Sequence, residues 1–215
     1  MQTLRVGFKY EDARVWQGGY NYLLNLCRAI KTHADLEPVV FCGVDAPQEH
    51  RTPFLDLLGD DFVQTEAFAP DALAVRRIRC LVTKCDKVTQ RVLEENAIDC
   101  FFEHADFFGK NFPIPTFSWI GDFQHKHLPK LFSLGQKLKR EVRYRVQIGA
   151  KRTIMVSSED AKRDCQQFYS VPDDQIHVVP FAIPYRKPSA AVEQTLEKYD
   201  LPEVYFYLPL SLIHI

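Results

Sequence analysis

Thr153-Ile-Met-Val156, Ser157-Ser-Glu-Asp160 and Ile176-His-Val-Val-Pro-Phe181 decide the architecture. The first stretch is a short apolar run, the second opens a helix, and the third is another apolar run. Ser157 and Asp160 fit the pattern in which a hydroxyl, with an acidic group three residues on, satisfies the free amides of a helix start. That helix is expected to reach about Tyr169 and to end before Val171-Pro172, because the residue preceding a proline resists the helical region. Strand, helix and strand in this order make a βαβ unit, whose two strands run parallel.

The same alternation extends toward the N-terminus. Leu4 to Phe8 predicts a strand. Gly18-Gly19 reads as a turn opening a helix from Tyr20 to Lys31, with apolar residues at helical spacing. Pro38 to Cys42 is a continuous apolar run of the kind buried on both faces of a parallel sheet. Pro53 to Leu58 suggests a short helix and Phe62-Val63 a strand. From Asp71 to Asn96 the stripe Val75, Ile78, Val82, Cys85, Val88 and Val92 predicts one amphipathic helix, with Arg76, Arg77, Arg79, Lys84, Lys87 and Arg91 on its wet face. Ile98–Phe102 and Thr116–Ile120 follow as strands. Ser133 to Ala150 follows as a helix, with Leu134, Leu138, Val142 and Val146 four apart. The expected fold is a Rossmann-like, three-layer α/β domain with a mainly parallel sheet over residues 1–184. Residues 185–203 read as a linker containing a short polar helix, and a fresh strand begins at Val204.

Composition narrows the function classes. Hydrophobic residues at 46% and charged residues at 26% exclude a disordered chain. A formal charge of −1 argues against a nucleic-acid partner. No apolar run approaches the ~20 residues that span a bilayer. The six cysteines form no Cys-x-x-Cys, so a zinc site is not expected. Residues 1–10 lack the apolar core of a signal peptide, which favours reduced cysteines and a cytoplasmic protein.

In a parallel sheet, ligands bind beyond the carboxyl ends of the strands. Four candidates follow from that rule. Gly18 and Gly19 would let a ligand approach bare amides at a helix start, although neither G-x-G-x-x-G nor a Walker lysine is present. Trp119, Asp122, Gln124 and His125, after the Thr116 strand, combine an aromatic face with acid–base groups, as carbohydrate sites do. Glu103-His104-Ala105-Asp106 also follows a strand directly; capping is the plainer reading, and Glu103 is the substrate-binding candidate there. Between Lys137 and Arg152 seven Lys or Arg face the single Glu141. That helix, 133–150, is either a solvated face or a patch meeting anionic headgroups at a membrane periphery. Gly18, Gly19, Trp119, Asp122, Gln124 and His125 are expected to converge on one open groove.

Taken in order, several segments resemble the N-terminal half of a retaining GT-B glycosyltransferase of the family 4 type. They are Gly18-Gly19 with Tyr22-Leu-Leu-Asn-Leu26, Ser118-Trp-Ile-Gly-Asp-Phe-Gln-His125, Leu128-Pro-Lys-Leu-Phe132, Val156-Ser-Ser-Glu-Asp-Ala-Lys-Arg-Asp164, Ile176-His-Val-Val-Pro180 and Tyr199-Asp-Leu-Pro-Glu203. The resemblance implies an acceptor-side domain, a nucleotide-sugar donor held by a second domain, a carbohydrate or lipid-linked acceptor, and no metal or other cofactor. It implies that Gly18-Gly19 line the cleft near the donor phosphates and that Asp122 and His125 face the reacting sugar as catalytic residues. The family commonly has His-Asp where this chain has Gly121-Asp122, so no histidine role carries over to position 121. Residues 204–215 would be the stub of the donor domain. Pro209 to Ile215 do not continue the family pattern, so residues 1–215 alone are expected not to catalyse transfer. Two alternatives stand beside the transferase: half of a nucleotide-sugar epimerase, and a non-catalytic flavodoxin-like ligand-binding module.

Overall fold

The structure, a computed structural model, describes residues 3–33, 35–104, 106–181, 192–202 and 204. The chain divides into two compact units, Met1–Ile183 and Pro184–Ile215. In the second, the described residues include one short helix, Val192–Lys198. The strand expected from Val204 to Leu208 lies outside the described residues beyond position 204.

The first unit alternates strands and helices as the apolar runs predict. Its strands are β1 (Leu4–Lys9), β2 (Leu36–Cys42), β3 (Phe62–Gln64), β4 (Cys100–His104), β5 (Thr116–Ile120), β6 (Thr153–Val156) and β7 (Ile176–Val178). Its helices are α1 (Ala13–Ile30), α2 (Gln48–Leu58), α3 (Pro70–Thr83), α4 (Lys87–Glu95), α5 (Gln124–His127), α6 (Leu134–Gly149) and α7 (Glu159–Tyr169). All seven strands pair in parallel, in the order β3-β2-β1-β4-β5-β6-β7. Strand order therefore reverses between β1 and β4. Helices cover both faces, giving the three-layer Rossmann-like α/β fold.

Val39, Val40, Phe41 and Cys42 of β2 are wholly buried, as a strand covered on both faces requires. On one face α1 and α2 bring Tyr20, Leu23, Leu24, Cys27, Phe54 and Leu58 against Val6, Phe8 and Phe102. On the other, Phe68, Leu73 and Leu93 pack against Val39, Phe41 and Phe101. Beyond β5, Phe123, Tyr144, Ala161 and Cys165 enclose Ile154 and Val156.

Four local expectations are corrected. Gly18 and Gly19 do not form a turn ahead of the helix: α1 already starts at Ala13, where Asp12 accepts from the Arg14 amide, breaks at Trp16, and the two glycines lie in the first turn after that break. The expected helix 71–96 is two helices. Lys84 enters the left-handed region and stops α3, and Asp86 then caps α4 by accepting from the Val88 and Thr89 amides. The cap of α7 is Ser158, which accepts from the Ala161 amide, while the Ser157 hydroxyl donates to the Gly121 carbonyl. Finally, the apolar stripe of α3 faces outward. Arg76 and Arg77 point inward instead, pairing with the buried carboxylates of Asp86 and Asp106.

Candidate functional site

The reversal of strand order leaves a crevice outside the carboxyl ends of β1 and β4. β1 runs out through Lys9 into Tyr10-Glu11-Asp12, and β4 ends in Glu103-His104. These ends carry a continuous chain of opposite charges. His104 Nδ1 lies 3.1 Å from Glu11 Oε1. The Lys9 ammonium is 3.4 Å from the same Glu11 oxygen and 2.7 Å from Asp106 Oδ2. Arg77 of α3 donates to the other oxygen of Asp106.

Neighbouring charge decides the protonation of these groups. Burial pushes the Glu11 carboxyl up, but Lys9 and the His104 hydrogen bond outweigh it and hold it below the usual carboxylate range. Asp106 is opposed in the same way by burial, and Lys9 and Arg77 bring it down. Burial alone would lower Lys9; Asp106 and Glu11 hold it above its ordinary value. The crevice therefore contains an ionised carboxylate, Glu11, in contact with an imidazole. Such a pair can take up a proton and return it.

Aromatic rings form one wall. Trp119, at the end of β5, is stacked between Trp16 and Tyr22, with ring centres 5.9 Å and 4.7 Å away. The parallel register sets Trp119 beside His104, and their rings lie 4.8 Å apart. Trp16 leaves helical geometry, and its indole lies over Gly18 and Gly19, so close that a β-carbon on Gly19 would come within 2.1 Å of the ring. The space between Trp16, Trp119, His104, Glu11 and Lys9 is closed down to about 10 Å³, enough for roughly one water. A larger pocket of about 190 Å³ opens beside it, lined by Lys9, Glu11, Asp12, Gly43, Asp45 and Arg77 among others. Lys9 and Glu11 form the wall that the two spaces share.

The expected site residues fall into three places. Gly19 and Trp119 line this crevice, with Gly18 beside them under the same indole. Asp122, Gln124 and His125 form a separate cluster around α5. There Asp122 accepts from the Gln124 amide and from Arg140, each at 3.0 Å, and its side chain is partly exposed. His125 is buried against Tyr144, and its Nε2 lies 3.4 Å from the Tyr169 hydroxyl. Burial lowers the affinity of His125 for a proton, and Arg140 and Lys126 add to the effect. Glu103 points away from the crevice. Successive strand residues face opposite sides, and register places Glu103 beside Ser118 rather than Trp119. There it is fully enclosed, accepting from Arg152, the Ser118 hydroxyl and the Phe108 amide. Burial pushes its carboxyl up, against the pull of Arg152. Among the described residues no group of three or more His, Cys, Asp or Glu is arranged to hold a metal ion.

Lys9, Glu11, Trp16 and Arg77 were not chosen by sequence reasoning. The available signal was position: Glu11 follows β1 and His104 ends β4, both at the reversal point.

The fold and the crevice define a Rossmann-like, three-layer α/β domain. Among solved structures, the chain is similar to an S. aureus MnaA–UDP co-structure, with 10% identity and a TM-score of 0.54 over 93% of this chain and 52% of that one. It is also similar to a UDP-GlcNAc 2-epimerase from Neisseria meningitidis bound to UDP-GlcNAc, with 14% identity and a TM-score of 0.51 over 81% of this chain and 46% of that one. A further UDP-N-acetylglucosamine 2-epimerase matches with 11% identity and a TM-score of 0.51 over 82% and 48% of the two chains. At these identities the likeness is one of fold. The chain spans about half the length of the structures it matches. No protein-family model matches the chain, and no curated protein matches it.

Proposed function

We propose that this chain is the N-terminal half of a GT-B-like enzyme acting on a nucleotide sugar, and that its chemistry is closer to epimerisation than to transfer. One observation carries the reading: an ionised Glu11 in contact with His104 at the switch point of the sheet. Inverting a C–H centre requires a base on one face of the ring and a proton donor on the other, and this pair supplies one of the two, a carboxylate coupled to an imidazole. Trp16, 40% exposed at the rim of the crevice, offers an apolar surface to a sugar ring.

The transferase reading keeps one support, the ordered series of family 4 motifs. In that reading Asp122 faces an acceptor from the end of β5, with His125 positioning α5 behind it, and the acceptor is a glycan or a lipid-linked sugar. Proton NMR of UDP-GlcNAc and UDP-glucose incubated with a full-length enzyme that contains this half separates the two. A new sugar epimer without free UDP supports epimerisation. UDP release that depends on an added acceptor overturns it in favour of transfer.

A further inference from the structure

The helices α3 and α6 expose what surface helices normally bury. Ile78 and Val82 of α3 are 73% and 82% exposed, and Leu134 and Leu138 of α6 are 81% and 66% exposed. Val75, Leu81, Leu131 and Val142 are exposed as well. A groove of about 420 Å³ runs between the two helices, with Ile78, Leu81, Phe107, Leu138, Val142 and Val146 in its walls. Soluble proteins rarely leave a contiguous apolar surface of this kind without a partner.

Charge identifies the partner. Of the cations on α6, Arg140 is paired with Asp122 and Arg145 with Glu141. Lys137, Lys139 and Arg143 form no salt bridge among the described residues. Lys139 and Arg143 line the groove itself. Its one carboxylate, Asp106, is buried and already bound by Lys9 and Arg77. The whole chain carries a formal charge of −1, so this positive face is a local segregation of charge. A second copy docked on it by twofold symmetry would set the same cations against each other. An anionic surface would neutralise them. Arg143 donates to the Tyr144 hydroxyl but has no carboxylate partner, and an apolar stripe bordered by such Lys and Arg is what a helix lying in the plane of a membrane interface presents.

We propose that the α3–α6 face rests on a membrane carrying anionic lipids. Ile78, Leu81, Leu138 and Val142 enter the boundary between headgroups and acyl chains, and Lys137, Lys139 and Arg143 meet the lipid phosphates. The proposal is independent of the nucleotide-sugar reading. Among the described residues no helix is long and apolar enough to cross a membrane, so the contact is one of lying on the surface.

Co-sedimentation of residues 1–215 with phosphatidylcholine vesicles, and with vesicles containing phosphatidylglycerol, tests it. The chain is expected to sediment with the anionic vesicles only, and less so as salt rises. Lys139→Ala and Arg143→Ala should each lower the partition about fivefold, in line with the contribution of one basic residue near an anionic surface. The double variant Ile78→Glu, Leu138→Glu should abolish sedimentation while leaving the melting midpoint unchanged, since both side chains are exposed. Equal binding to neutral vesicles, no binding to either kind, or full binding by the double variant would overturn the proposal. So would a dimer, seen by light scattering, that Leu138→Glu splits, because a second copy would then be the occupant.

Discussion

Glu11 Oε1 and His104 Nδ1 stand 3.1 Å apart although 93 residues separate them. They meet because β1 and β4 are neighbours in the sheet and both strands end at the point where strand order reverses. If this pair moves a proton on a bound sugar, Glu11→Gln and His104→Gln should each lower turnover of a UDP-sugar about 10²- to 10⁴-fold, with much smaller changes in binding. Steady-state rates set beside ligand titrations make the comparison. Loss of binding with an unchanged rate constant would assign the pair to substrate recognition instead.

Acid should weaken the fold through the same cluster. The carboxyls of Glu11 and Asp106 ionise at lower pH in the folded chain than in the unfolded one. Their ionisation therefore stabilises the fold above the unfolded carboxylate range, near pH 4, and the gain disappears as pH falls through their folded values. Thermal melts from pH 7 to pH 3 should show a falling midpoint. Asp106→Asn should be less stable at pH 7, with Lys9 and Arg77 left without their partner, and should show a shallower decline in acid. Parallel curves for the two proteins would remove Asp106 from the account.

Glu103 and Arg152 form an enclosed ion pair beneath the sheet, with Ser118 and the Gly109 carbonyl completing its hydrogen bonds. Breaking such a pair from one side leaves a buried charge uncompensated, at a cost of about 3–5 kcal/mol. Urea unfolding of Arg152→Met should show a loss of that size, and the double variant Glu103→Gln, Arg152→Met should recover part of it. Nucleotide-sugar binding by Glu103→Gln, measured where the variant is still folded, should match the parent. A selective loss of binding would return Glu103 to the substrate site.

The chain has two tryptophans, Trp16 and Trp119, and they are stacked on each other. Gly19→Ala would place a β-carbon within 2.1 Å of the Trp16 ring, so the indole must move. The near-ultraviolet circular dichroism of the pair should weaken and tryptophan emission should shift to the red. An unchanged spectrum would mean that Trp16 does not lie over the glycines in solution.

Sequence alone determined the alternation of this fold. The runs Val39–Cys42, Cys100–Phe102 and Ile154–Val156 are apolar without interruption, and a strand covered on both faces buries such a run. Their order, with helices between, leaves a parallel sheet as the one economical packing. The same logic of strand ends put Trp119, near the end of β5, beside the crevice that it lines.

Tertiary structure decided which way α3 faces and which polar residues meet. Helical spacing assigns Val75, Ile78 and Val82 to the core and Arg76 and Arg77 to water, yet the helix is turned the other way. Buried carboxylates at Asp86 and Asp106, from other segments, bind the arginines and draw that face inward. A local window contains the period of the apolar residues but not the distant charges that compete for orientation. The Glu11–His104 pair was hidden for the same reason. Each residue looked like an ordinary polar group at a strand end, and their contact depends on strand adjacency across 93 residues of chain.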